Sequence, residues 1–131
     1  MVRTIISLIS GIGAGGLAVG LIQTIALNMY PMDPGLSEQQ LQEILAKMPS
    51  GYYWFLISSH IIGAFAAGLV TSIINKNHKV KKGLLAASVI LILTFIMNYN
   101  SPFPGWAKAS DVSLTVLAGA LGSWLGSRRT T

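Results

Sequence analysis

Long apolar runs, separated by short polar ones, dominate the chain. Four runs stand out, over residues 4–28, 52–75, 83–99 and 111–127. The first holds about 25 residues without one charge, and a membrane-spanning helix needs roughly 20. The second is nearly as long. The third carries "LLAASVILILTFIM" and the fourth "VSLTVLAGALGSWLGS". Both sit near the lower length limit, so they are expected to tilt little or to lie where the bilayer is thin. Backbone groups in lipid must satisfy one another, so all four runs are read as helices.

Between the first two runs the pattern changes. "MYPMDPG" ends the first helix with two prolines and a glycine. Leu41, Ile44, Leu45 and Met48 then recur at helical spacing. Ser37 and Gln40 have the spacing of a capping box, and Leu36 and Leu41 that of a hydrophobic staple. Glu43 and Lys47 make a favourable i,i+4 pair. Pro49 and Gly51 close the segment. A short amphipathic helix is predicted over 37–48, lying on the membrane surface or capping the bundle. The later loop, "NYNSPFPGWAKASD", reads as a rigid turn. Tyr30, Tyr52, Tyr53, Trp54, Tyr99 and Trp106 suit an aromatic belt at the membrane interface. The expected fold is all-α: a single membrane domain over 1–131, an integral four-helix bundle with a short amphipathic helix in the first extracytoplasmic loop.

Small residues line three of the four runs. Helices in lipid associate by close packing, which small side chains permit. In the first run Gly13, Gly16 and Gly20 share a face with Gln23 and Thr24, and Gly11, Gly15 and Ala18 form an adjacent strip. In the second, His60, Gly63, Ala64, Ala67, Gly68 and Thr71 share a face. In the fourth, Gly119, Gly122 and Gly126 follow Thr115, with Ala118 and Ser123 beside them. The third run is mostly bulky. The first, second and fourth helices are therefore predicted to pack tightly, and the third to show more surface to lipid, so that leucine is better tolerated at Ala87 than at Gly16, Gly63 or Gly122. The same glycines give "GIGAGG" the dinucleotide spacing G-x-G-x-x-G. That fingerprint needs a strand before it and a second strand after the helix, and neither fits a long apolar run.

Composition agrees with the pattern. Only 10% of the residues are charged, against roughly a quarter in a soluble domain. There is no cysteine, which excludes disulfides, thiol catalysis and cysteine zinc sites. The first apolar run is too long for a signal-peptide core and ends without an A-x-A site, so an uncleaved helix is expected. Charge sets the orientation. Arg3, Lys76, Lys79, Lys81, Lys82, Arg128 and Arg129 fall at the two ends of the chain and in the middle loop. Asp33, Glu38, Glu43 and Asp111 lie in or beside the other two loops. By the positive-inside rule both termini and the middle loop are cytoplasmic. The net charge of +5 is thereby absorbed by topology, and no nucleic-acid partner is implied.

One ionisable residue lies inside a run. His60 sits roughly 12 Å below the outer end of its helix at 1.5 Å per residue, and an intramembrane ionisable group is a functional-site candidate. Gln23, Thr94, Asn98, Asp111 and Thr115 fall at similar depth on the other three helices. The six form a candidate polar pocket, opening outward, with Gln23 or Thr94 as the expected partner of His60. Hydrolysis by Ser58 or Ser59 with His60 fails, since helix neighbours one or two apart do not face each other, and Asp111 reads as lying at the membrane edge rather than behind the histidine. Met29, Met32, Met48 and Met97 cluster on the outer side as thioethers suited to Cu(I), but methionine is also ordinary packing material. No catalytic residue, metal site or cofactor is assigned.

Small multidrug exporters share the length and helix count, but their first-helix glutamate has no counterpart between Arg3 and Asp33. "SGIGAGGLAVG", "SHIIGAFAAGLV" and "LGSWLG" resemble the glycine-rich helices of fluoride channels, with His60 where that family has a pore asparagine. The Phe/Thr-rich broken helix of those channels is not matched by "GLLAASVILILTFIM". Met48-Pro49 before the second run and Pro102-Phe103-Pro104-Gly105-Trp106 after the third make the whole chain similar to small four-helix proteins of the bacterial inner membrane. The expected function is non-enzymatic: an accessory or assembly subunit, or a self-associating bundle, working in the lipid bilayer as a homo-oligomer or within a larger membrane complex. The alternative is a small oligomeric channel or transporter using the pocket around His60.

Overall fold

The computed structural model describes residues 1–129. It consists of five helices and, among the described residues, no strand. They are α1 (Val2–Met29), α2 (Glu38–Ala46), α3 (Ser50–Ile74), α4 (Lys79–Tyr99) and α5 (Gly105–Ser127). Three of them, α1, α3 and α4, are long and apolar enough to cross a membrane.

Two helices begin earlier than their apolar runs. α4 takes in the lysines from Lys79 onward, and α5 begins at Gly105 rather than at residue 111. Pro104, at φ −58° and ψ 150°, is the N-cap of α5, since proline's fixed φ favours a helix entrance. Trp106, Lys108 and Ser110 are thus helical. At 1.5 Å per residue α4 is about 31 Å long and α5 about 35 Å. Both are long enough for a hydrocarbon core of roughly 30 Å, but with Lys79, Lys81, Lys82 and Lys108 in their first turns the apolar runs stay as short as expected.

α3 is the centre. It packs against α1, α4 and α5, while α1 and α5 do not meet. The helices alternate in direction, which gathers the basic residues other than Lys47 and Lys108 at one end. There Arg3 donates to the carbonyl of Ile74, and Lys79 to that of Arg129. A small polar cluster lies just inside this end. Asn75 donates to the Ser7 hydroxyl and the Thr71 carbonyl, and the Thr71 hydroxyl donates to the carbonyl of Ser7. The opposite end is closed by aromatic residues. Tyr30, Tyr52, Tyr53, Phe103 and Trp106 meet edge to face at 5.4–6.4 Å. Tyr52 and Tyr53 are therefore buried, whereas Trp54, Tyr99 and Trp106 stay exposed as belt residues would.

α2 lies across this aromatic end. Its capping box forms, with the Ser37 hydroxyl accepting from the Gln40 amide and the Gln40 side chain accepting from the Ser37 amide. Leu45 and Met48 pack on the cluster of Tyr52, Tyr53 and Leu56, and the Tyr53 hydroxyl donates to the Leu45 carbonyl at 2.5 Å. The expected Glu43–Lys47 pair does not form. Among the described residues the one ion-pair contact joins His60 and Asp111.

The glycine faces need correction on α1. A Cβ on Gly13, Gly16 or Gly20 would meet nothing within 4 Å. The buried row is the neighbouring one, Ser7, Gly11 and Gly15. A Cβ on Gly15 would lie 2.6 Å from the Gly63 carbonyl, and one on Gly11 would strike Thr71. Two small-residue strips share this helix, and only one is used inside the chain. On the other helices the assigned faces hold. Gly63, Ala67, Gly68, Gly119, Gly122 and Gly126 are buried. A Cβ on Gly68 would come within 2.8 Å of the Gly119 carbonyl, and one on Gly126 within 2.5 Å of the Leu69 carbonyl.

The expected exposure ranking reverses between α1 and α4, while α3, at 50%, is more buried than α4 as expected. The apolar window of α1 is 17% buried and that of α4 28%, because α1 sits at the edge of the group. α4 turns a row of its own inward: Gly83, Ala86, Ala87, Ile90, Thr94 and Asn98. Ala87 lies where a Cβ on Gly119 would be 2.8 Å away. Ala87→Leu should therefore cost about 1–3 kcal/mol by overpacking, read as a lowered unfolding midpoint in detergent. An unchanged midpoint would contradict this α4–α5 contact.

Candidate functional site

Each of the four long helices sends one polar group to the same interior point. On α1, Gln23 lies about two turns beyond the buried Gly15, and its amide reaches Ser59 and His60 on α3. On α3, His60 lies one turn before the buried Gly63 and Ala64. On α4, Asn98 extends the row through Ile90 and Thr94. On α5, Asp111 belongs to the buried row that runs from Ala107 through Thr115, Ala118, Gly119 and Gly122. Rows of this spacing lie on one side of a helix. The packing of small residues below thus fixes what the polar residues above them face.

The centre is a pair. His60 Nδ1 is 2.8 Å from Asp111 Oδ2 and 2.9 Å from Oδ1. The two residues are 4% and 3% exposed. A buried charge needs both a counterpart and hydrogen bonds to its remaining lone pairs, and Asp111 has both. Asn98 Nδ2 donates to Oδ2 at 2.8 Å, and the Thr115 hydroxyl to Oδ1 at 3.4 Å. Asn98 is itself held by the Thr94 carbonyl at 3.1 Å. A carboxylate only accepts, so Nδ1 carries the proton and Nε2 is the ring atom left to act.

Nε2 faces α1. Its contact there is the Gln23 amide nitrogen at 3.4 Å, and the same amide reaches Ser59 Oγ at 3.4 Å. Both distances exceed the usual limit of about 3.2 Å. Beside them is a cavity of about 290 Å3 between α1 and α4. Gly16, Val19, Ile90, Leu93 and Met97 wall it, with Gln23, His60 and Thr94 along one side. Its exposed rim residues, Gly16, Leu93 and Met97, lie on the outer faces of two spanning helices, so the opening is sideways. Toward the aromatic end the site is closed. Tyr53, Phe103 and Ala107 cover Asp111, leaving a space of only about 10 Å3, about one water at most. The expected outward opening is not what the packing produces.

Of the six sequence candidates, His60, Asp111 and Asn98 are joined at 2.8 Å, and Gln23 and Thr115 adjoin them through longer contacts of 3.4 Å. Thr94 borders it, its hydroxyl donating to the Ile90 carbonyl at 2.8 Å. His60 meets Gln23 as expected, but its close partner is Asp111. The premise that no carboxylate stands behind the histidine is therefore corrected. The orienting carboxylate is present, while the Ser59 hydroxyl donates to the Leu56 carbonyl at 2.6 Å. Met32 and Met48 pack in the outer apolar cluster, while Met97 belongs to the cavity rim. The buried Ser7–Asn75 contact was missed in the sequence. Its signal was the i+4 spacing of Ser7, Gly11 and Gly15. Compared with protein-family descriptions, curated proteins and solved structures, the chain matches none.

Proposed function

We propose that the chain is an integral protein of the bacterial inner membrane, crossing it four times as one bundle with both termini cytoplasmic. The three apolar helices support this. α5 completes it as the fourth span, since Asp111 is paired inside and no further charge occurs before Arg128. The basic end faces the cytoplasm, and α2 lies on the outer surface.

Its work is non-enzymatic association, as a self-associating bundle or as an accessory and assembly subunit of a larger complex. The observation that carries this is the second glycine strip of α1. Gly13, Gly16 and Gly20 face open space while Gly11 and Gly15 are consumed inside. On a helix otherwise covered by Ile and Leu, such a strip lets another helix approach closely. Gly16→Leu should then leave the chain folded with wild-type helix content and abolish the oligomer, or the stoichiometric partner, recovered in mild detergent. A wild-type protein that purifies alone as a monomer would end this reading.

A second reading, a small channel or transporter, is favoured by the cavity beside His60. It expects reconstituted liposomes to pass a solute. α4 runs unbroken from Lys79 to Tyr99, so the broken helix of fluoride channels is not reproduced, and fluoride conduction is not carried over. The likeness to small four-helix inner-membrane proteins fits both readings and adds no activity.

A further inference from the structure

We infer that the cavity beside His60 Nε2 binds an uncharged, lipid-soluble ring compound bearing a carbonyl or hydroxyl oxygen, the chemistry of a quinone headgroup. This goes beyond association, because the cavity lies within one chain.

Size comes first. A dry cavity of about 150 Å3 holds benzene, and this one is about 290 Å3. It has room for a substituted ring and the first atoms of a tail. Access comes next. Leu93 is 58% exposed and Met97 38%, both on the lipid side of α4, so the ligand enters from the bilayer and its tail stays there.

The polar side selects among lipid-soluble molecules. His60 is almost completely buried, its Nδ1 is taken by Asp111, and Nε2 has only the long contact to Gln23. Buried His60 and half-buried Gln23 thus keep hydrogen-bonding capacity toward the cavity. The Gln23 amide offers N–H or C=O on rotation, and Nε2, with the proton on Nδ1, offers a lone pair. Such a side meets a carbonyl oxygen or a hydroxyl equally well. A carboxylate is disfavoured. No lysine or arginine lines the cavity, and Asp111 stands directly behind the ring. A plain acyl chain would leave Nε2 and the Gln23 amide facing hydrocarbon.

The test uses the full-length protein in nanodiscs of neutral phospholipid, titrated with a short-chain benzoquinone by equilibrium binding. The expected result is saturable binding of one quinone per chain, not displaced by oleate or dodecanol. Leu93→Trp, which closes an exposed rim, and Gln23→Leu, which removes a weakly bonded amide, should each weaken it at least tenfold. Both variants should retain the wild-type unfolding midpoint without ligand. Absence of saturable binding, or binding indifferent to Leu93→Trp, would overturn the proposal. So would loss with Leu93→Trp but not with Gln23→Leu, which describes an acyl-chain groove. Equal displacement by oleate would overturn the requirement for neutrality, and by dodecanol the requirement for a ring.

Discussion

Asp111→Leu is expected to lower stability by about 3–5 kcal/mol, the usual cost of removing one partner of a buried ion pair. The substitution leaves His60 Nδ1 without an acceptor between tightly packed helices. His60→Leu should cost a similar amount, because the carboxylate then keeps only Asn98 and Thr115. Replacing both together should recover most of the loss, since an apolar pair of similar volume often matches a buried ion pair. Asp111→Asn should fall between, as its amide oxygen can still accept from Nδ1. The magnitude identifies the interaction. Neutral hydrogen bonds between membrane helices average about 0.6 kcal/mol, so a several-fold larger loss marks a charged contact. Unfolding of the two single variants and the double variant in detergent gives the coupling directly. Simple additivity of the single losses would show that the two side chains do not interact.

Gly122→Leu is expected to be at least as damaging at the α3–α5 crossing. A Cβ there strikes the backbone carbonyl of Phe65, with the Phe65 Cα at 3.0 Å. Backbone cannot rotate out of the way as a side chain can. The helices must separate, which opens the packing around Gly119 and Ser123. Overpacking ordinarily costs about 1–3 kcal/mol and sometimes more, and this site belongs at the upper end. Gly16→Leu is the internal control for packing within the chain, with a change within about 0.5 kcal/mol when both proteins are compared as dispersed monomers, because its Cβ meets nothing else in the chain. Unfolding midpoints measured side by side should separate the two by several degrees. Equal tolerance would mean that α5 does not pack where Gly122 places it.

Hydropathy and helix punctuation made much of this architecture legible. The long helices follow the apolar runs, and the Ser37–Gln40 capping box placed α2 to within a residue or two. Glycine spacing alone could not choose between the two strips of α1. Both have helical periodicity, and only the partner surface on α3, with Thr71 and Gly63, decides between them. The start of α5 was obscured for a chemical reason. Lys108 and Asp111 interrupt the apolar pattern, so the helix seemed to begin only at Asp111. With Pro104 as N-cap, Asp111 lies about 9 Å inside the helix, deep enough to reach His60. The candidate site was legible as a layer of polar residues at one depth. Its central contact was not, because it depends on where α5 begins and on the aromatic cluster that closes the end above it.

The four-span arrangement is tested most directly by single cysteines, introduced into a chain that has none. Four exposed positions mark the loops and one end: Ser37, Asn77, Asn100 and Arg129. An impermeant thiol reagent applied to intact spheroplasts should label Ser37→Cys and Asn100→Cys and leave Asn77→Cys and Arg129→Cys unlabelled until the cells are opened. Labelling of Arg129→Cys together with Asn100→Cys in intact spheroplasts would remove α5 as a membrane span and contradict the four-helix bundle.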